Sequence, residues 1–115
     1  MNQMEQLDWT REEFKAYLLL YAANANYFET EEEKDTILSM VNADTYRRIH
    51  RELDHDNDFQ SIQKIQYHLD KFGYTPEGVE RLLHDINRIF DANGEHNEMN
   101  DTIQRAMRRL LHVCV

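Results

Sequence analysis

Three short segments fix where helices must begin, and they constrain the fold more than anything else in the chain. Thr10-Arg11-Glu12-Glu13 and Thr30-Glu31-Glu32-Glu33 are both capping boxes, in which a threonine hydroxyl and a glutamate three residues on satisfy each other's orphan backbone amides. Trp9 and Phe14 flank the first box at the spacing of a hydrophobic staple. Thr75-Pro76 marks a third start, with proline at the first helical position, where its missing N–H leaves nothing unpaired. Tyr74 and Val79 are spaced for a second staple there.

Behind each start runs an apolar stripe of helical period. Phe14, Tyr17, Leu18, Tyr21, Ala22 and Ala25 keep that spacing, and Leu19 and Leu20 widen the stripe until little of the helix is polar. A helix that is apolar nearly all round must be central. The second helix runs through Met40, with Ile37, Met40 and Val41 as its inner face. The third, over 43–53, places Tyr46, Ile49, His50 and Leu53 on one side, so His50 is expected to face the core. A fourth is predicted from Phe59 to Phe72, capped by Asp58, with Ile62, Ile65, Leu69 and Phe72 inward and Gly73 as its left-handed stop. The fifth buries Val79, Leu82, Leu83, Ile86, Ile89 and Phe90; the sixth, capped at Asn97 and ending near Leu111, turns Met99, Ile103, Ala106 and Leu110 inward. Leu18, Leu82, Ile86 and Ile103 are the expected core.

With one proline and three glycines in 115 residues, there is too little punctuation for a many-stranded sheet. Two domains of this total size would each bury too little surface to be stable. The expectation is an all-α fold, a compact single-domain bundle of five to seven helices over 1–115, with 1–9 as an N-terminal arm.

The net charge of −9 is uneven: residues 1–58 carry 14 acidic and 6 basic side chains, and 59–115 carry 8 and 7. A phosphate backbone would be repelled by the first half, so nucleic acid is not an expected partner. Arg105, Arg108 and Arg109 lie in the last helical turns, where cations complement the helix dipole. The longest apolar run, Ala16 to Ala23, is far short of the roughly 20 residues a membrane span needs. The first residues show no basic segment followed by an apolar run, so a cytoplasmic protein without membrane insertion is expected. Cys114 has no second cysteine to pair with.

Candidate chemistry is sparse. Asp54-His55-Asp56-Asn57-Asp58 offers oxygens at alternate positions like a calcium loop, but Phe59 stands where that loop requires glycine and Ile65 where it requires a bidentate glutamate. The segment reads instead as a helix-to-helix turn. Glu29, Glu31, Glu32 and Glu33 form an acidic turn that suits a helix N-terminus, and only Glu33 falls on the apolar side, in phase with Ile37. A divalent ion held by Glu33, His96 and Glu98 is the one metal set the residues suggest, provided the two loops that bear them meet. His50 and His84 lie on or beside apolar faces without an evident partner. No phosphate loop, zinc spacing or nucleophile elbow is present, so neither a catalytic residue nor a cofactor is expected.

A weak internal echo remains: Ala25-Asn26-Tyr27-Phe28-Glu29-Thr30-Glu31-Glu32-Glu33 against Ala92-Asn93-Gly94-Glu95-His96-Asn97-Glu98-Met99-Asn100. Each ends an apolar helix, turns, and restarts at a capping residue. Together with Leu18-Leu19-Leu20-Tyr21-Ala22-Ala23-Asn24 before the first and Ile89-Phe90-Asp91 before the second, this resembles the tellurite-resistance TerB-like family. That family's motif is an Ala-Asp-Gly turn, a capping Ser or Thr, and a Glu seven residues after the Asp. The resemblance implies a compact helical domain of bacterial type, with an acidic, metal-associated surface and a role in stress-response or membrane-linked complexes. Position by position, the first turn reads Asn26, Tyr27, Thr30 and Glu33, the second Asn93, Gly94, Asn97 and Asn100. Three of the four carboxylates are therefore replaced by asparagine, each replacement removing a unit of charge that would attract a hard cation. The expected function is non-enzymatic, through contacts with an unidentified protein, with the metal site eroded; the alternative is a calcium- or magnesium-binding or sensing domain.

Overall fold

The computed structural model describes residues 9–25, 30–92 and 98–113, and among these the chain is all-α: α1 (Arg11–Asn24), α2 (Glu31–Met40), α3 (Ala43–His55), α4 (Asp58–Lys71), α5 (Pro76–Asp91) and α6 (Glu98–Val113). The helix starts follow the predicted local chemistry. The Thr10 hydroxyl accepts from the Glu13 amide at 3.1 Å while the Glu13 carboxylate accepts from the Thr10 amide at 2.8 Å. Thr30 and Glu33 repeat the arrangement at the same distances. Thr75 caps α5 through the Gly78 amide, with Pro76 behind it.

The cap of α4 differs from expectation. Asn57, not Asp58, holds the N-cap, accepting from the Gln60 amide at 2.8 Å while Gln60 accepts from the Asn57 amide at 2.9 Å. Asp58 has another use: its carboxylate accepts from the Tyr21 hydroxyl at 2.6 Å. At the other end, Gly73 takes φ +64°, and the amides of Gly73 and Tyr74 bond back to the carbonyls of Asp70 and Leu69. This double closure needs a left-handed residue, which glycine supplies without a Cβ penalty.

α1 is the axis of the bundle. Phe14, Ala16 to Leu20, Ala22 and Ala23 are all buried, and the helix packs against α2, α3, α4 and α5. α5 is the second organising element, touching α1, α2 and α6 and burying every apolar residue expected of it. Leu18, Leu82, Ile86 and Ile103 all lie in the core. The radius of gyration, 13.3 Å, is what a compact chain of this length should have.

Two inner faces depart from the predicted phase. In α6, Ala106 is exposed, and the buried positions among its described side chains are Ile103, Met107 and Leu111, an i, i+4, i+8 row, with Leu110 at its edge; the Met99 side chain lies outside the described residues. In α4, Ile62 sits at the margin while Ser61, Ile65, His68 and Leu69 are buried, so that polar residues share the inner face. His50 lies at the boundary and does have a partner, with Nδ1 3.1 Å from the Asp54 carboxylate. Among the described residues no helix is long and apolar enough to cross a membrane.

Candidate functional site

Glu33 is buried, with 4% of its surface exposed, and its carboxylate closes the α2 capping box. Glu98 opens α6, whereas His96, Asn26, Asn93 and Asn97 lie outside the described residues. The echoing turns therefore fall outside this description. Among the described residues, no three His, Cys, Asp or Glu side chains converge as metal ligands would.

What the fold does bring together is a polar cluster beneath the turn between α3 and α4. The buried Tyr17 of α1 donates its hydroxyl proton to the Asp56 carboxylate at 2.6 Å, with Ser61 Oγ 2.9 Å from the same phenolic oxygen. Lys64, one turn further along α4, donates to both Asp56 oxygens at 2.7 and 3.0 Å and to Glu52 at 2.8 Å. Its ammonium also lies 5.9 Å from the centre of the Trp9 ring and 6.0 Å from that of Tyr17, within cation–π range.

The electrostatics fix the protons of this cluster. Burial holds the Tyr17 hydroxyl far above its ordinary range, and the bond to Asp56 adds to that. Burial acts on Tyr21 in the same way, reinforced by the bond to Asp58. Burial alone would lower the Lys64 ammonium, but its bonds to Asp56 and Glu52 outweigh it and the group is raised. The result is two neutral phenols and a fixed ammonium. General acid–base catalysis needs a group that titrates near the working pH, and these groups are driven away from it.

The same geometry gives each carboxylate of the Asp54–Asp58 turn a partner within the protein. Asp54 meets His50, Asp56 meets Tyr17 and Lys64, and Asp58 meets Tyr21. The Lys64 ammonium supplies internally the positive charge that a bound ion would bring. Above it lies a shallow cleft lined by Tyr21, Asn24, Leu53 and the three aspartates. Phe59, on the first turn of α4, is 67% exposed.

A second polar group ties α6 to α5. One Glu80 oxygen lies 2.6 Å from Arg108 Nη1 and 2.6 Å from His112 Nε2, and bonds from His112 first, then Arg108, hold its carboxyl below the usual range. Arg108 is thus a structural ion-pair residue. The exposed His84 lines the adjoining cleft with Asp101 and Arg105.

Sequence reasoning passed over His68 and Lys64. His68 is wholly buried, stacked on Trp9 at 4.5 Å and on Phe14 at 5.5 Å between centroids. Its Nδ1 lies 2.7 Å from the Lys64 carbonyl, to which it donates, and Nε2 has no partner among the described residues. The signal was spacing: Ser61, Lys64 and His68 are three and four residues apart and share one face of α4. An apolar-stripe criterion does not register them. Searches against family models, curated proteins and solved structures found no match to this chain.

Proposed function

We propose that this chain is a non-enzymatic helical domain of TerB-like descent, its metal site eroded, that works through protein contacts at the face around the α3–α4 turn. The observation that carries the proposal is Phe59, the one large apolar side chain so fully exposed among the described residues. It follows directly on the acidic turn that contributes Asp54, Asp56 and Asp58. Leaving a phenyl ring in water forgoes about 1.5–3 kcal/mol of burial, which a partner recess can recover. The adjacent carboxylates favour a partner whose recess is rimmed by lysine or arginine. The protonation states of Tyr17, Tyr21 and Lys64 support a structural rather than a catalytic duty for the polar cluster.

Affinity capture from the native cell, with wild type and Phe59→Ser as parallel baits, tests this. A protein retained by wild type and lost with Phe59→Ser, at unchanged melting temperature, is the expected result. Equal retention by both baits, or no specific capture by wild type, would defeat the proposal. The alternative, calcium or magnesium binding by Glu33, His96 and Glu98, draws on the burial of Glu33. It predicts tight calorimetric binding by wild type that is lost in Glu33→Gln, a variant that keeps an acceptor for the capping box.

A further inference from the structure

We propose that His68 is an acid-operated latch: protonation of its buried imidazole expels Trp9 from its stack, while the helical bundle stays folded. The ring is fully enclosed, with Trp9 and Phe14 nearly parallel to it at interplanar angles of 17° and 18°, Tyr67 edge-on, and Phe72 tilted against it. Because Nδ1 donates to the Lys64 carbonyl, the neutral tautomer leaves a lone pair on Nε2, and among the described residues no donor faces that atom. A proton arriving at Nε2 would create a second N–H with no acceptor. A buried donor in that state is driven to find water.

The surrounding charges push the same way. On its own helix the imidazole feels Lys64 and Lys71, both cationic. α1 offers it Phe14, and the charge nearest that end of α1, Arg11, is bound to the Phe72 carbonyl at 2.7 Å and set over the Phe72 and Tyr74 rings. Tyr17 of α1, which touches Trp9, is a neutral phenol. From α3 and its turn, Glu52 and Asp56 are committed to the Lys64 ammonium. Aromatic faces do attract an imidazolium, but burial, partly offset by the carbonyl bond, and the two lysines leave His68 below its ordinary value of 6.5. A group held below its unfolded value favours the closed stack above that pH and opposes it as the pH falls below.

Trp9 is the one part of the enclosure that no helix holds, its other contacts being the Tyr17 ring and the Lys64 ammonium. Phe14, Tyr67 and Phe72 belong to helices or to the α4 cap, whereas Trp9 precedes the α1 N-cap and is only partly buried. Its departure opens a ring face of His68 to water without breaking a helical hydrogen bond.

Trp9 is the chain's only tryptophan, so its emission reports the latch directly. Titrating the whole protein from about pH 7.5 to about pH 4.5 should give a reversible emission change with its midpoint below 6.5, while far-UV circular dichroism keeps its helical signal. His68→Phe, which keeps a flat apolar ring in the stack, should abolish the change. Should that variant fail to fold, the wild-type His68 ring resonance followed by NMR decides, since it must titrate with the same midpoint as the emission. A flat wild-type emission profile, an unaltered transition in His68→Phe, a mismatch between the two midpoints, or helix loss in step with the emission change would each overturn the latch.

Discussion

Replacing Lys64 with methionine asks how far α4 is held to α3 and the α3–α4 turn by charge rather than by apolar burial. The Lys64 and Asp56 side chains are 15% and 9% exposed, so the variant strands a nearly buried carboxylate with the Tyr17 hydroxyl as its remaining donor. Removing one partner of a buried pair costs about 3–5 kcal/mol, and the surviving phenol bond reduces this to about 2–3 kcal/mol. Asp56→Asn is milder. An asparagine oxygen still accepts from Tyr17, and Lys64 keeps Glu52, a more solvated partner at 38% exposed, for a cost of about 1–2 kcal/mol. In the double variant both buried charges are gone, and Glu52 can turn to water.

The double variant should therefore lose about 1–3 kcal/mol less than the sum of the two single losses. Urea denaturation of the four proteins, with equal slopes, measures this coupling. Each kcal/mol corresponds to about 3–6 °C in melting temperature for a domain of this size, so thermal scans give an independent check. Additivity within about 0.5 kcal/mol would refute the claim that Lys64 and Asp56 form one energetic unit.

Leu18→Ala should cost about 3–5 kcal/mol, since Leu18 is wholly enclosed on the central helix, whereas Ala106→Ser on the exposed side of α6 should stay within about 0.5 kcal/mol; equal effects in denaturant melts would reverse the assigned phase of α6. Gly73→Ala should cost about 1–2 kcal/mol purely through backbone strain, because the residue has φ +64° and an added Cβ would meet nothing within 4 Å; a neutral or stabilising result would rule out the left-handed closure of α4. Glu13 is held below its ordinary 4.5, burial being outweighed by its bonds to the Thr10 amide and to Arg48. The stability it contributes is thus present above 4.5 and lost as pH falls below it, and Glu13→Gln should flatten that acid limb in pH-dependent melts.

How legible each element was depended on how local its cause was. The boxes at Thr10 and Thr30 and the proline start at Pro76 are closed by residues three or four apart, so sequence alone placed them correctly. Asn57 and Asp58 are both capping types side by side, and the choice between them was made by Tyr21, 37 residues upstream, which took the Asp58 carboxylate for itself. In α6 the register of the buried row was set by the surface of α5 it packs on, and a small alanine at 106 carried too little preference to reveal it.

α4 was the least legible helix because its inner face is half polar. Ile65 and Leu69 are the apolar half, while Ser61, Lys64 and His68 meet Asp56, Tyr17 and Trp9 across sequence separations no stripe can encode. Apolar burial is nearly indifferent to pH, but hydrogen-bonded charges and a buried imidazole are not. The attachment of α4 is accordingly the conditional joint of the bundle. That same helix carries Phe59 outward, so one element bears both the buried polar face and the side chain of the proposed contact surface.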